Sequence, residues 1–172
     1  VATLIDRMEG FTDDRPIELG PQNIYAIIDH CRDLAGQGFG KGVSIVEEYD
    51  PSLPPVLAHR DSLVQVVLNL LVNAAHAVEE RTTKQGVPMA DHRVTVSTRL
   101  QGDEVVISIA DTGCGIPAAI KERIFEPFFT TKPMGKGSGQ GLPLVRNVVI
   151  QKHGGRVEVE SEVNVGTTFI LR

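Results

Sequence analysis

The sequence has few of the residues that build disulfide-rich, metal-binding or membrane-spanning proteins. Its two cysteines, Cys31 and Cys114, exclude a disulfide framework and favour a reducing, cytoplasmic compartment. The five histidines form no HxxH or HxxxH pair, which leaves a zinc site without support. No uninterrupted apolar run approaches the ~20 residues of a membrane span, and the start lacks the pattern of a signal peptide. We therefore expect no membrane segment in this chain.

Positive charge is also scarce. The chain has 17 Lys and Arg against 22 Asp and Glu, a net charge of −5 at pH 7, so a nucleic-acid partner is not expected. Of its 172 residues, 41% are hydrophobic and 23% charged, which is typical of one globular domain. Because the first residue is Val1, we expect a fragment of a longer protein.

Two kinds of apolar periodicity alternate along the chain, and together they predict an α+β fold. The count predicts a two-layer α/β sandwich, a mixed sheet of about five strands with about three helices on one face. Helices are predicted at 1–13, 22–36, 61–81 and 142–153, and strands at 43–49, 92–100, 104–110, 156–161 and 167–171.

The longest predicted helix carries a row of amides. Gln65, Asn69 and Asn73 are spaced at i, i+4 and i+8, so they lie on one side of the helix. The row can face water or cap loops, or it can face a ligand. Amide oxygens suit Mg²⁺, which binds few protein oxygens together with water and phosphates.

A carboxylate followed by two glycines, Asp111-Thr-Gly-Cys-Gly, ends a predicted strand and indicates a crevice that backbone can line. The Asp-Thr-Gly triplet also occurs in aspartic proteases, but their mechanism needs two carboxylates. The spacing of Gly113, Gly115 and Ala118 resembles a dinucleotide fingerprint, but no βαβ unit surrounds it. We expect neither alternative.

A glycine-rich segment, 135–142, leads into the next predicted helix. Glycines before a helix start can present N–H groups to an anion, although a flexible linker has the same composition. It is not a P-loop. Upstream, Phe125, Phe128 and Phe129 suggest a lid with its own hydrophobic patch, or a small satellite core beneath a loop.

Five motifs in order identify a family. NLLVNAAHAV at 69–78, DTGCGIP at 111–117, IFEPFFTTK at 124–132, GKGSGQGLPLV at 135–145 and GTTF at 166–169 resemble the N, G1, F, G2 and closing boxes of sensor histidine kinases. The resemblance implies the Bergerat ATP-binding fold, which the gyrase and MutL ATPases of the GHKL superfamily share. The segments 6–19 and 48–61 further resemble nitrogen-regulation kinases of the NtrB type.

The resemblance implies residue roles in binding ATP and Mg²⁺. Asn73 would ligate Mg²⁺, Asn69 would contact phosphate or metal, and Asp111 would accept a hydrogen bond from the adenine amine with help from Thr167 or Thr168. The ATP-binding set implied by position is Asn69, Asn73, His76, Asp111, Gly113, Gly115, Ile116, Lys132, Gly137, Ser138, Gly139, Gln140, Gly141, Leu142, Thr167 and Thr168.

Two positions depart from the family pattern. His76 stands where many of these kinases carry a phosphate-binding lysine, and an imidazole can still charge beside a phosphate. Thr130 stands where many carry an arginine that reaches the terminal phosphate. Lys132 or Arg123 would have to serve instead.

The resemblance also implies partners. The γ-phosphoryl group would go to a histidine on a separate dimerisation domain, then to a response-regulator aspartate, and Asn69 offers no basicity for activating water. Residues 1–14 would end the dimerisation helix, and 15–172 would form the catalytic domain. The full-length protein would be a homodimer and this fragment a monomer. The alternative is a GHKL-type ATPase, or a nucleotide-binding regulatory module without kinase activity.

Overall fold

The computed structural model describes residues 16–36, 43–132 and 137–172. The helix predicted at 1–13 and the proposed dimerisation tail at 1–14 lie outside the described residues. Residues 37–42 and 133–136 also lie outside them.

A mixed five-stranded sheet forms one layer, as the sequence predicts. The strands, in the order in which they lie in the sheet, are β2 (Ser44–Tyr49), β4 (Arg93–Gln101), β5 (Glu104–Asp111), β7 (Gly166–Leu171) and β6 (Val157–Glu162). β2 runs parallel to β4, and the other neighbouring pairs are antiparallel. Gln101 pairs with Glu104, so a two-residue Gly102-Asp103 loop joins β4 and β5 in a hairpin.

Three helices form the second layer of the described chain, which confirms the predicted two-layer sandwich. They are α1 (Ile24–Gly36), α2 (Arg60–Gln85) and α3 (Gly141–Arg146). The central helix α2 contacts α1, α3 and the strands β4, β5 and β7. On α1 the buried residues Ile24, Ile27, Ile28 and Cys31 form one apolar stripe at helical spacing.

The helix α2 begins and ends with recognisable caps. The ring Nδ1 of His59 accepts a hydrogen bond from the Ser62 backbone N–H at 3.3 Å, and Gly86 adopts φ +69° at the other end. Its length and composition would suit a membrane span, but half of its apolar window is buried inside this domain, as in a core helix. Its buried apolar residues are Leu63, Val66, Val67, Leu68, Leu70, Leu71, Ala74 and Val78.

The last predicted helix is one element with two geometries. After α3 the chain widens into a π-helical segment, Asn147–Lys152, in which the His153 N–H reaches the Val148 carbonyl at 3.1 Å. The His153 ring also contacts that carbonyl, with Nδ1 at 2.8 Å. Gly154 follows with φ +67°, a left-handed conformation that ends the helix.

Two short strands were not expected. β1 (Gly20–Gln22) pairs antiparallel with β3 (Val56–Ala58), whereas the sequence predicts a helix from 22 and no strand between 49 and 92. Three residues are too few for a period-2 pattern, and Pro21 fits only because this strand is at an edge. The pair joins the start of α1 to the start of α2.

Candidate functional site

A cavity of about 500 Å³ opens between α2, the loops after β5 and the start of α3. Fourteen of the sixteen predicted binding residues line it; Gly113 and Thr168 do not. Helix spacing brings in the residues from α2, and the glycine-rich loops supply backbone on the opposite wall. The fourteen are Asn69, Asn73, His76, Asp111, Gly115, Ile116, Lys132, Gly137, Ser138, Gly139, Gln140, Gly141, Leu142 and Thr167.

The amide of Asn69 has an unsatisfied group at one end of the cavity. Asn69 is 8% exposed, and its Nδ2 has no hydrogen-bond partner among the described residues. A Cβ added at Gly141 would lie 3.1 Å from Asn69 Oδ1, so the start of α3 sits directly against this amide. A buried unpaired amide is costly unless a ligand satisfies it. Asn69 therefore fits a polar ligand such as a phosphate.

The cavity offers a magnesium ion few protein ligands. Within the described parts of the chain, no group of three or more His, Cys, Asp or Glu could hold a metal. The amide oxygens of Asn69 and Asn73, one turn apart on α2, are hard donors that suit Mg²⁺ when phosphates complete its shell. The donor set therefore fits a metal brought in with a phosphate ligand.

Asp111 is the last residue of β5 and lies towards the other end of the cavity, because the loop that follows it bonds to Ala77, two turns of α2 beyond Asn69. Its Oδ1 accepts the Gly113 N–H at 2.8 Å. Burial raises the pKa of Asp111 to about 6, although hydrogen bonds from the backbone of Gly113 and Thr167 oppose that shift. The carboxylate is mostly ionised at pH 7 and can accept a hydrogen bond from a ligand amine.

A hydroxyl on β6, Ser161, ties the strands beside Asp111 together. The Ser161 Oγ accepts the Ile116 N–H at 2.8 Å, and it lies 2.8 Å from Thr167 Oγ1 and 3.1 Å from the Gly166 carbonyl. It therefore fixes Ile116 and Thr167 on the cavity wall. The sequence offers no signal for this role, because Ser161 belongs to none of the motifs.

The strand alternation of β7 decides between its two threonines. Thr167 is 4% exposed and lines the cavity. Thr168 pairs with Ala110 and Glu160 and lines a groove on the opposite face of the sheet. The expectation that Thr168 could contact the ligand is corrected, because successive residues of a strand point to opposite faces.

The two glycines that follow Asp111, Gly113 and Gly115, are required for different structural reasons. A Cβ at Gly113 would lie 2.5 Å from the backbone carbon of Ala77, so this glycine lets the loop touch α2 and does not line the cavity, contrary to the expectation. Gly115 has φ +73°, and a Cβ there would lie 2.2 Å from the Glu162 carbonyl oxygen.

Lys132 is the loop cation that reaches the cavity. Its Nζ lies 2.7 Å from His76 Nδ1, beside the amides of α2. Burial, then the charge of Lys132, lowers the pKa of His76, so its ring is neutral at pH 7 and accepts from the ammonium. Arg123, the other candidate, lies 4.5 Å from the Phe129 ring centroid and pairs with Glu126 at 3.3 Å.

The three phenylalanines of this loop fall into two groups. Phe125 and Phe129 pack against the core, and Phe125 meets Phe169 edge-on at 6.4 Å. Phe128 is 73% exposed and has φ +64°, while its N–H bonds the Gly139 carbonyl at 3.1 Å. The loop thus has an apolar anchor and an exposed ring, which agrees with parts of both interpretations.

Two of the polar side chains on the cavity wall have no role implied by the motifs. Glu80 lines it one helical turn beyond His76, and Cys114 lies between Gly113 and Gly115. A hydrogen bond from Lys84, then lesser contributions that include the Cys114 thiol, lower the pKa of Glu80 despite burial. Among the described residues that line the cavity, only Glu80 and Asp111 are acidic.

Comparison with known proteins gives one family. The model of the histidine kinase-, DNA gyrase B- and HSP90-like ATPases matches residues 58–172. The sensory histidine kinase/phosphatase NtrB of Rhizobium leguminosarum bv. phaseoli is 43% identical over 98% of this chain, and that of Rhizobium meliloti is 42% identical over 98%. The chain spans 45% of the length of each of these relatives.

Solved structures agree in fold. The nucleotide-free catalytic domain of histidine kinase ThkA superposes with a TM-score of 0.76 at 29% identity, over 90% of this chain and 94% of that one. Full-length ShkA in complex with AMPPNP has a TM-score of 0.76 at 27% identity, over 96% of this chain and 32% of that one.

Proposed function

The chain belongs to the family of histidine kinase-, DNA gyrase B- and HSP90-like ATPases as a catalytic domain of the sensor histidine kinase type, and we propose that it binds Mg·ATP and passes the γ-phosphoryl group to a histidine on a separate domain. One observation carries the proposal. A single cavity has the unpaired buried amide of Asn69 at one end and the carboxylate of Asp111 at the other. An amide donor at one end and a carboxylate acceptor at the other match a ligand with phosphates at one end and an amine-bearing base at the other.

At the end of the cavity that would hold the base, Asp111 determines which base is preferred. Its ionised carboxylate accepts a hydrogen bond from the adenine amine, while Thr167 is held beside it by Ser161. Guanine offers a carbonyl at the corresponding position, which would face the carboxylate without a hydrogen. Adenine nucleotides are therefore preferred.

At the phosphate end, Asn73 and Asn69 would hold Mg²⁺, which neutralises phosphate charge and aligns the terminal phosphate for transfer. The Asn69 amide N–H donates to a phosphate oxygen, which satisfies its unpaired Nδ2. Lys132 supplies the positive charge, and the neutral His76 ring orients its ammonium. The residues from Gly137 to Leu142 close the wall with backbone.

Transfer is favoured over hydrolysis because none of the described residues on the cavity wall is a suitable free base, and the Nδ1 of neutral His76 already accepts from Lys132. Asn69 has no basicity, and Asp111 lies at the base end. The pKa of Glu80 is lowered, chiefly by Lys84, so Glu80 is a poor proton acceptor as well. A site that cannot activate water preserves ATP for another acceptor. The NtrB relatives are named histidine kinase/phosphatases, which agrees with this choice.

We extend the proposal to the whole protein, because this chain spans 45% of the length of its NtrB relatives. The acceptor histidine belongs to a dimerisation domain, residues 1–14 continue from it, and residues 15–172 are the catalytic unit. A response-regulator receiver then takes the phosphoryl group on an aspartate. We place the protein as a homodimer with this domain in the cytoplasm.

Nucleotide titration and phosphotransfer test the proposal. ATP near 100 Kd should stabilise the chain by about 2.7 kcal/mol with Mg²⁺ present, and Asn73→Ala should remove the Mg²⁺-dependent part. Asn23→Ala is the control, because Asn23 caps α1 through the Tyr25 N–H at 2.9 Å and costs stability away from the cavity.

The phosphotransfer arm separates kinase from ATPase. With γ-labelled ATP, label should appear on an added dimerisation domain and not on His30 or His76 of this chain. An unshifted melting curve with saturating Mg·ATP contradicts nucleotide binding. Rapid ATP hydrolysis without labelling of the added domain favours the ATPase alternative.

A further inference from the structure

Arg81, on the last turns of α2, contacts two chain segments that meet beside Asp111. Its Nη1 lies 2.9 Å from the Thr112 carbonyl oxygen, 3.4 Å from that of Gly113 and 3.3 Å from that of Val165. Thr112 and Gly113 follow β5, and Val165 lies in the turn between β6 and β7. One guanidinium nitrogen thus joins both segments to the helix.

The position of Arg81 continues the spacing of the amides. Asn69, Asn73, Ala77 and Arg81 succeed one another at intervals of four residues, so they follow one face of α2 with a slow drift. Asn69 and Asn73 serve one end of the cavity, while Ala77 touches Gly113. Arg81 is the next position, beneath the loop that follows Asp111.

This loop controls the Asp111 carboxylate directly. The Gly113 N–H donates to Asp111 Oδ1 at 2.8 Å. The same peptide segment bonds α2 through the Cys114 N–H to the Ala77 carbonyl at 3.2 Å, and Cys114 accepts the Asn164 N–H at 2.8 Å. A shift of the Thr112 and Gly113 carbonyls would therefore move the N–H that orients the carboxylate.

We propose that Arg81 is a positioning residue for the base end of the site: by holding the carbonyls of Thr112, Gly113 and Val165, it sets the Asp111 carboxylate for adenine. The inference rests on the proposed binding of ATP. Arg81 acts through the loop and touches neither the phosphates nor the metal. Its loss should affect ligands with a base and leave base-free phosphates unaffected.

The three carbonyl oxygens surround one guanidinium nitrogen, Nη1, and the rigid plane of the guanidinium fixes where that nitrogen lies. A lysine keeps the charge and has three N–H donors, but its flexible stem does not fix the position of the ammonium. Arg81→Lys should therefore recover only part of the function, and Arg81→Gln none of it.

Calorimetric titration of the purified chain with three probes tests the inference. The probes are adenosine, Mg·ATP and Mg·tripolyphosphate. In Arg81→Gln, adenosine and Mg·ATP should bind about tenfold more weakly, the loss expected for charge-assisted hydrogen bonds. Mg·tripolyphosphate should bind as it does to the wild type, and the preference for ATP over GTP should fall.

A matched control is Arg99→Gln. Arg99 is an exposed arginine of β4 that pairs with Val106, whereas Asp111 pairs with Val94 near the other end of that strand. It should bind all three probes as the wild type does. Amide exchange of residues 112–116 should quicken in Arg81→Gln and not in Arg99→Gln.

The titrations distinguish a positioning role of Arg81 from a structural role and from no role. Equal weakening of all three probes in Arg81→Gln would mean a purely structural role, and unchanged adenosine binding would mean no role; either overturns the inference. If Arg81→Gln does not fold, the same comparison in Arg81→Lys decides. A wild-type chain that binds no adenine nucleotide overturns the proposed function and this inference with it, whereas a loss confined to phosphates in the variant overturns this inference alone.

Discussion

The Lys132 ammonium nitrogen lies 2.7 Å from Nδ1 of His76, and this contact joins the phenylalanine-bearing loop to α2 across the cavity. Burial lowers the pKa of both groups, and the lysine charge lowers that of His76 further. The ring is consequently an acceptor at neutral pH, where a second cation would repel the ammonium. The pair thus carries one positive charge, on the Lys132 ammonium, and the contact with His76 orients it.

Lys132 should contribute to binding phosphates and not to binding the base. Lys132→Met should weaken Mg·ATP binding by about tenfold or more, because a charge-assisted hydrogen bond to phosphate is lost. Adenosine binding, measured by calorimetry, should not change. Arg123→Met is the matched control on the same loop, since Arg123 is engaged with Phe129 and Glu126, and it should bind ATP normally. Equal losses in both variants would contradict the assignment.

His76 should make stability depend on pH. Its pKa is lower in the folded chain than in the unfolded chain, so the unfolded state binds the proton more readily. The stability that neutral His76 contributes is present above the unfolded pKa of ~6.5 and is lost as pH falls through the folded value. Between pH 8 and pH 5, urea midpoints should fall more steeply for the wild type than for His76→Gln. His30→Gln, on the exposed face of α1, controls for removing a histidine; identical slopes in wild type and His76→Gln would refute the prediction.

Asp111 should destabilise the nucleotide-free chain when ionised. Its pKa is raised to about 6, so the folded chain binds this proton more tightly than the unfolded chain does. The stability that the proton contributes is fully present below the unfolded pKa of ~3.9 and is lost as pH rises to about 6. The shift corresponds to an upper limit of roughly 2–3 kcal/mol. Asp111→Asn should therefore raise the melting temperature at pH 7–8, show little effect near pH 4, and weaken ATP binding.

The control for Asp111 is Asp103→Asn, in the turn of the β4–β5 hairpin. It should leave both melting temperature and nucleotide binding close to those of the wild type. A lower melting temperature for Asp111→Asn than for the wild type at pH 8 would contradict the prediction that the buried, ionised carboxylate destabilises the chain.

Gly113 should tolerate no side chain. A Cβ there would lie 2.5 Å from the Ala77 backbone, so Gly113→Ala must separate the loop from α2 and should cost about 3 kcal/mol or more in the free energy of unfolding. It should also reduce adenine binding, because the Gly113 N–H orients Asp111. Gly86→Ala is the comparison: its φ of +69° is strained for alanine, but no atom lies within 4 Å of the added Cβ. That variant should cost about 1 kcal/mol and bind ATP normally, as denaturation and calorimetry can measure.

Much of the candidate site could be found from the sequence because its residues fall in short motifs, within each of which the residues are close in the chain. Asn69 and Asn73 share a face through helix geometry alone, and Asp111 comes at a strand end followed by glycines. The choice between Lys132 and Arg123 could not be made this way. Both are basic residues of one irregular loop, and only the folded path shows which of them reaches His76.

The sequence by itself determined the two layers and the main helices and strands, because periods of 2 and 3.6 are local properties. The resemblance of its motifs to sensor histidine kinases implied fourteen of the residues that line the cavity. Only the tertiary structure decided which face of β7 meets the cavity, so that Thr167 lines it and Thr168 does not. It also decided that Ser161 and Arg81 support the loops beside Asp111. Apart from the Thr167 hydroxyl, their partners are backbone groups 5 to 84 residues away, and the sequence does not show which side chain such a group will bind.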